Sequence, residues 1–173
     1  LVAVAEATGD AAAAPQARTV ALWRVPAAGA AQALGQLQAD ALAAPPLWSP
    51  GGERLAFLRS QPEGPELWLA NGDGSRPERV ATGQGVRPLA WRGTTLLFAG
   101  PDYAAVVSTG QATVIARAAG GQIGQGVWRS DTALALAWDG NDGPGLFAVR
   151  GDGARQLLAP LLSAGAALDV WLP

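Results

Sequence analysis

The sequence lacks four residue types that carry much of protein chemistry. Its 173 residues include no histidine, cysteine or methionine, and all twelve basic residues are arginine, so lysine is absent too. Without histidine or cysteine the chain cannot form a Ser-His-Asp triad, a Cys-His nucleophile pair or a zinc site built from those ligands. Without lysine it has neither a Schiff-base amine nor a P-loop lysine. These absences predict a protein that is not an enzyme and has no cofactor or metal site.

Charge is sparse and evenly spread along the chain. Charged residues make up 15% of the sequence and the formal net charge is −2. Because the arginines form no basic stripe, a nucleic-acid partner is not expected. Although 49% of the residues are apolar, no apolar run approaches the roughly 18 residues needed to span a bilayer. The composition predicts a well-packed domain without a membrane span.

Four tryptophans recur at a near-constant interval. Trp48, Trp91, Trp128 and Trp171 are separated by 43, 37 and 43 residues. A period near 40 residues is typical of a repeated supersecondary unit, most often one four-stranded propeller blade. We interpret these tryptophans as packing between blades rather than as a ligand-stacking surface.

Each repeat shows the same order of strand and turn signals. In the clearest one, a short strand at 46–50 runs into a Pro-Gly-Gly turn, and the next strand, 54–59, is apolar through its middle, as a strand buried on both faces should be. A third strand at 66–70 leads to the hairpin signal at 71–75 and a more polar edge strand at 79–81. The same order predicts further strands at 89–91, 95–99, 105–108, 113–116, 126–128, 133–137, 145–149 and 156–158.

These segments resemble the TolB-type β-propeller repeat, a WD40-like repeat that opens with an apolar residue and Trp-Ser-Pro-Asp-Gly and carries a later Asn-Ala-Asp-Gly-Ser turn. Here the two motifs read Leu47-Trp48-Ser49-Pro50-Gly51-Gly52 and Asn71-Gly72-Asp73-Gly74-Ser75, with Gly51 in place of the usual aspartate. The openings of the later repeats are more degraded. The resemblance implies an all-β fold of four-stranded antiparallel blades and a protein or peptide partner, and it implies no catalytic residue.

One segment favours a different structure when it is taken alone. Residues 27–44 are rich in alanine, leucine and glutamine, which favour helix. We nevertheless interpret residues 33–38 as an outer strand, because Trp23 precedes Trp48 by 25 residues. The third-strand aromatics of two later repeats precede the next tryptophan by 23 and 24 residues, which is nearly the same offset.

The termini predict a blade that is shared between the two ends of the chain. Residues 1–5 have the pattern of a second strand, and residues 169–173 have that of a first strand. A single domain of 1–173 would then contain about four blades, at 1–40 with 165–173, 41–83, 84–121 and 122–164. Either the C-terminal strand closes a monomeric four-bladed ring and removes its open edges, or the chain is part of a larger ring, such as the six blades usual for TolB-like proteins, and of a larger assembly.

The candidate binding residues lie in loops that should gather on one face of a propeller. Ligands usually sit where the loops between second and third strands meet the loops between blades. The loops concerned are 7–18, 60–65, 100–103 and 139–144, together with 84–87 and 120–125. Arg87, Tyr103 and Asp139 are the expected anchors, because arginine and aromatic side chains dominate interface hot spots.

The segment 139–143 is the densest cluster of oxygen ligands in the sequence. Besides Asp139 it contains Asn141 and Asp142, which we include among the candidate binding residues. We interpret the segment as a polar loop. Weak calcium binding is the alternative, although the spacing departs from the EF-hand pattern.

Two functions from different classes are open. The first is a non-catalytic, bacterial, extracytoplasmic module, periplasmic or secreted, that binds a protein or peptide or acts as a scaffold. The second is the propeller portion of a larger enzyme, such as a prolyl-oligopeptidase-type hydrolase, with its catalytic domain elsewhere. A glycosidase is disfavoured, because it needs two carboxyl groups about 5–10 Å apart and the sequence shows no evident pair.

Overall fold

Antiparallel β-sheet is the regular structure of this protein. The computed structural model describes residues 2–8, 18–25, 28–39, 42, 44–130, 133–139, 141, 143–150 and 154–160. These residues form fifteen strands in four sheets and contain no helix. Within the same ranges there is accordingly no helix with the length and apolarity that a membrane crossing requires.

The four sheets follow one another along the chain. The first contains β1 (Val2–Thr8), β2 (Arg18–Val25) and β3 (Gln32–Ala39), and the second contains β4 (Leu47–Trp48), β5 (Arg54–Arg59), β6 (Glu66–Asn71) and β7 (Glu78–Thr82). The third contains β8 (Arg87–Arg92), β9 (Thr95–Ala99), β10 (Tyr103–Val107) and β11 (Thr113–Arg117). The fourth contains β12 (Gln122–Trp128), β13 (Ala133–Asp139), β14 (Gly145–Arg150) and β15 (Arg155–Pro160). Each sheet pairs its strands in chain order, which is the strand order of a propeller blade.

The ambiguous segment near the N-terminus is a strand. Residues of β3 pair antiparallel with β2 from Gln32 opposite Arg24 to Ala39 opposite Arg18. The ladder with a neighbouring strand overrides the helix propensity of alanine, leucine and glutamine, because propensity is a weak preference beside tertiary pairing. The prediction of an outer strand at 33–38 is therefore confirmed.

The ends of several strands differ from the sequence-based expectation. The inner strands β8 and β12 begin at Arg87 and Gln122, inside segments predicted to be inter-blade loops. Both strands contain a register shift, between Pro88 and Ala90 in β8 and between Ile123 and Gln125 in β12, and the ladder continues past it. A bulge leaves one residue unpaired without ending the strand, so neither the proline nor the glycines of these segments stop it.

The second strands of the last three sheets, β5, β9 and β13, are buried on both faces, as predicted. In β9, Leu96 and Phe98 pack in a cluster shared with the second sheet, whereas Leu97 and Ala99 pack in a cluster shared with the fourth. In β5, Leu55 and Phe57 likewise face the first sheet, while the alternate residues face the third. Since successive side chains of a strand point to opposite faces, an uninterrupted apolar run supplies both interfaces.

Three of the four repeated tryptophans lie between sheets. Trp48, Trp91 and Trp128 each pack against a different inter-sheet cluster, which confirms the packing interpretation for them. Trp91 Nε1 donates a hydrogen bond of 3.0 Å to the Leu47 carbonyl in the preceding sheet. Trp171 and the predicted closing strand at 165–173 lie outside the described residues, so the shared blade stays a prediction.

The two motif segments of the second sheet form one structural unit. Trp48 Nε1 donates to the Gly72 carbonyl at 3.1 Å, and the Gly72 N–H donates to the Glu53 carbonyl at 2.7 Å. A Cβ atom at Gly72 would clash with the Gly52 carbonyl oxygen, so only glycine fits between the two turns. In the hairpin itself, Asp73 Oδ1 accepts the Ser75 N–H at 2.9 Å. The predicted hairpin role of Asp73 is confirmed, whereas the similar Asp152 lies outside the described residues.

We expect the change Trp91→Phe to destabilise the protein more than Trp128→Phe. Trp91 loses an inter-sheet hydrogen bond, whereas Trp128 Nε1 is buried without a partner among the described residues. A buried hydrogen bond stabilises by about 1 kcal/mol, and replacing an unsatisfied donor by an apolar edge is close to neutral. Urea unfolding should separate the two variants by about 1 kcal/mol or more. Equal losses of stability would show that the smaller aromatic side chain accounts for the whole effect and that the Trp91 hydrogen bond contributes nothing.

We also expect Glu66 to contribute an acid-labile part of the stability. The hydrogen bond from Arg79 at 2.9 Å, with a further one from Trp68 at 3.0 Å, holds the pKa of Glu66 below its ordinary value of 4.5. The unfolded chain therefore binds the proton first, so this contribution is complete above pH 4.5 and is lost as the pH falls through the lower folded value.

From about pH 5 to about pH 3 the Tm of the wild-type protein should consequently fall further than that of Glu66→Gln. The extra fall should not exceed roughly 2–4 °C, because an exposed pair is worth at most about 1 kcal/mol. Glu63→Gln, at an exposed loop position, is the matched control and should behave like the wild type. Parallel melting curves for all three proteins would contradict the assignment.

Candidate functional site

In the second, third and fourth sheets, the loop between the second and third strands meets a loop between sheets on one face, as predicted; most of the predicted loop 7–18 lies outside the described residues. The Gly83 N–H donates to the Pro65 carbonyl at 3.1 Å, and the Ala118 N–H donates to the Asp102 carbonyl at 2.7 Å. The Asn141 N–H donates to the Ala119 carbonyl at 3.0 Å. We call this surface the loop face, which comprises residues 60–65, 83–86, 100–102, 118–121, 139 and 141. Backbone hydrogen bonds thus hold each of these three loops against a loop that connects two sheets.

A cavity of about 410 Å³ lies on the loop face between the third and fourth sheets. Its lining consists of Arg87, Gly120, Gly121, Gln122, Ile123, Gly124 and Asp139. Because three of these are glycines, backbone atoms form much of the wall, and a ligand can approach their N–H and C=O groups closely. Two of the three expected anchors therefore share one cavity.

Arg87 reaches from the third sheet to the fourth. Its Nη2 donates hydrogen bonds to the Ile123 carbonyl and, at 2.6 Å, to the Gly124 carbonyl, and its Nη1 donates to the Gly85 carbonyl at 3.1 Å. Burial lowers the pKa of Arg87 from its ordinary value, but a guanidinium stays charged at physiological pH. Among the residues that the structure describes, no carboxylate pairs with it. Within the described ranges, the partners of this cation are therefore carbonyl dipoles.

Asp139 brings the opposite charge to the same cavity. It is the last residue of β13, where it pairs with Gln122 of β12, and its side chain is exposed. It forms no ion pair with Arg87. The cavity therefore presents a cation and a carboxylate that do not neutralise each other directly.

Asn141 lies at the rim of this cavity. Gly120, a lining residue with φ of 71°, has the Asn141 side chain against the place where a Cβ atom would be. A side chain at residue 120 would therefore be strained and would displace Asn141. The fifth predicted residue, Asp142, lies outside the described residues. Within the described ranges no three acidic residues come together as a metal site, and weak calcium binding at 139–143 stays a prediction.

Tyr103 does not line the cavity. It begins β10, and its ring meets Phe98 edge-on with 6.2 Å between the ring centroids. The Arg117 guanidinium lies 5.9 Å from the Tyr103 ring centroid on the third sheet. This ring is packed against the cluster between the second and third sheets, so it belongs to a different inter-sheet gap from Arg87.

Gln122 is a polar lining residue that the sequence analysis did not single out. It lies in a segment predicted as a loop, Gly120–Gly121–Gln122–Ile123–Gly124, and its side chain is exposed. The closely spaced glycines were the available signal, because they allow other groups to approach the backbone. Because we interpreted this glycine-rich segment as a loop between blades, we predicted neither the start of β12 nor the wall of the cavity there.

The fold defines a class of architecture: the described residues form a β-propeller arrangement, similar to that of TolB, with one three-stranded and three four-stranded antiparallel sheets. The crystal structure of TolB from Acinetobacter baumannii is similar, with a TM-score of 0.59 and 15% identity over 91% of this chain and 41% of that one. The β-propeller domain of the Trilobed protease from Pyrococcus furiosus, described as having an open velcro topology, is also similar. It has a TM-score of 0.51 and 16% identity over 84% of this chain and 55% of that one.

These likenesses establish the fold and not the activity. The aligned regions correspond to about two fifths of the TolB structure and just over half of the protease propeller. The chain matches no protein-family model and none of the curated proteins. The confirmed part of the sequence-based resemblance is therefore the all-β propeller architecture with about four blades.

We expect Arg87 to stabilise the contact between the third and fourth sheets. The change Arg87→Gln removes hydrogen bonds to three carbonyls and should lower the free energy of unfolding by about 1–3 kcal/mol. Arg129→Gln, at an exposed position after β12, is a matched control with the same charge change and should stay within about 0.5 kcal/mol of the wild type. Urea unfolding measures both, and equal stabilities of the two variants would refute the cross-sheet role.

Proposed function

We propose that this chain is a non-catalytic module that binds a protein or peptide at the cavity on the loop face. The observation that carries the proposal is the arrangement of Arg87, Asp139 and the glycine backbone around one cavity of about 410 Å³. Both charged residues lie at strand ends, which position side chains more rigidly than long loops do. A polypeptide has the matching complement of backbone amides, carbonyls and charged groups.

The lining favours binding over chemistry. Asp139 is the acidic residue that lines the cavity within the described part of the chain, whereas glycosidic acid–base chemistry uses two carboxyl groups. The half-buried Arg87 is engaged by carbonyls, which suits an anchor of fixed position. One arginine facing one aspartate also gives no continuous basic surface, so a polyanionic nucleic acid is a poor fit.

The motif resemblance adds an expected location and assembly. A TolB-like repeat favours an extracytoplasmic protein, periplasmic or secreted, and the absence of lysine beside abundant alanine, glycine, proline and arginine favours a bacterial source. If residues 165–173 complete the first sheet, the chain is a closed monomeric ring. If they do not, its open sheet edges favour incorporation into a larger assembly.

A second candidate function is the propeller portion of a larger enzyme. The likeness to a protease propeller over 84% of this chain favours it. The test is the gene that encodes these residues. A Gly-x-Ser-x-Gly segment on the same polypeptide, together with peptide hydrolysis by the full-length product that disappears when that serine is changed, would support this function over the first.

We expect binding to depend on the loop face and not on the opposite face. Peptides selected from a displayed random library on the purified chain should lose at least tenfold in affinity when Gln122→Ala or Asp139→Ala is introduced. Both side chains are exposed, so the folded structure should persist. Gln111→Ala, in the exposed β10–β11 turn on the opposite face, is the control and should bind like the wild type. Unchanged affinity in both variants of the cavity lining would refute the proposed site.

A further inference from the structure

Arg87 has more hydrogen-bond donors than its contacts with the described residues use. A guanidinium carries five N–H groups, and the three hydrogen bonds to Gly85, Ile123 and Gly124 leave at least two of them without a protein partner among the described residues. Arg54 Nε is fully buried without a hydrogen-bond partner among the described residues, and Arg87 Nε is not in that situation. The cation is thus fixed in position with hydrogen-bonding capacity left.

The electrostatics of Arg87 favour an anion as a further partner. The side chain is half-buried and has no carboxylate partner within the described ranges. Removing a cation from water is costly unless it is paired. Carbonyl dipoles lower that cost, and an incoming carboxylate would add a charge-assisted hydrogen bond, roughly twice as strong as a neutral one.

The rest of the lining limits the kind of anion. Asp139 shares the cavity and would repel a purely anionic ligand, but it would accept a hydrogen bond from an N–H group. A volume of about 410 Å³ lies at the small end of ligand pockets, so it accommodates a short segment. The glycine wall at 120, 121 and 124 leaves room for a main chain to approach.

We propose that the cavity binds the carboxyl end of a peptide, with the terminal carboxylate on Arg87 and an N–H group of the last residues on Asp139. This inference rests on the function proposed above and specifies the chemistry that the site recognises. A chain terminus carries a carboxylate and an amide N–H on the same residue, as the two charges of the cavity require. An acidic side chain within a peptide is the other source of a carboxylate, and the test distinguishes the two.

The test uses isothermal titration calorimetry of the purified chain with three N-acetylated tripeptides. The first is acetyl-Ala-Ala-Ala with a free carboxylate, the second is its C-terminal amide, and the third is acetyl-Ala-Glu-Ala amide. The free acid should bind at least tenfold more tightly than either amide. Equal binding of the free acid and its amide, binding of the Glu peptide as tight as that of the free acid, or no binding of the free acid up to about 10 mM would each overturn the proposal.

Variants assign the roles of the two charges. Arg87→Gln should abolish the preference for the free acid, and Asp139→Asn should weaken binding of the free acid by about three- to tenfold, as expected for loss of a charged acceptor. Arg129→Gln should change neither. Should Arg87→Gln fail to fold, the comparison of acid and amide on the wild type and on Asp139→Asn decides. Tighter binding to Asp139→Asn would contradict the assigned N–H contact.

The outcome also separates this inference from the proposed function. If the acid and the amide bind equally and both are lost in Gln122→Ala, the loop face still binds peptides and only the carboxylate inference is wrong. If library-selected peptides also bind Gln122→Ala and Asp139→Ala as tightly as the wild type, the proposed site fails together with it.

Discussion

The middle strands of this protein are apolar on both faces, and the architecture depends on that constraint. In β9, Leu96 and Phe98 point to one side while Leu97 and Ala99 point to the other, and all four are buried. A sheet with two apolar faces needs a covering layer on each, and further sheets of the same kind provide it. Within the described residues the second and third sheets each pack between two neighbours, as successive blades of a propeller do.

This packing also creates the candidate site. Because the third and fourth sheets lie face to face, the start of β8 comes close to the start of β12, and Arg87 can reach the carbonyls of Ile123 and Gly124. Asp139 arrives at the same place because β13 pairs with β12 and ends there. The cavity is a gap between two sheets at the end where their loops gather, so the stability of the contact and the geometry of the site depend on the same residues.

Much of the fold could be predicted from local patterns, and the site only in part. Turn residues and apolar runs placed the strands of the repeats, and the constant offset to the next tryptophan favoured a strand at 33–38 over a helix. The loop face was predictable because, in a propeller, the loops between second and third strands lie on the same face as the loops between blades. Which loop residues converge was not: Arg87 and Asp139 share a cavity, whereas the Tyr103 ring turns toward Phe98 in another gap. A side chain at the end of a strand can pack on either side of the sheet, and residues distant in the sequence determine which side it occupies.

The repeat period, the order of the strands and the turn chemistry follow from the amino-acid sequence, because each depends on the local pattern of residues. The Asn71–Ser75 turn and the buried strand Arg54–Arg59 are examples of such local specification. The packing of the sheets is what allows Arg87 to donate to carbonyls 36 and 37 residues away and to line a cavity shared with Asp139. Those contacts depend on how the third and fourth sheets pack and on the bulges in β8 and β12. The local spacing of residue types predicts neither the packing nor the bulges.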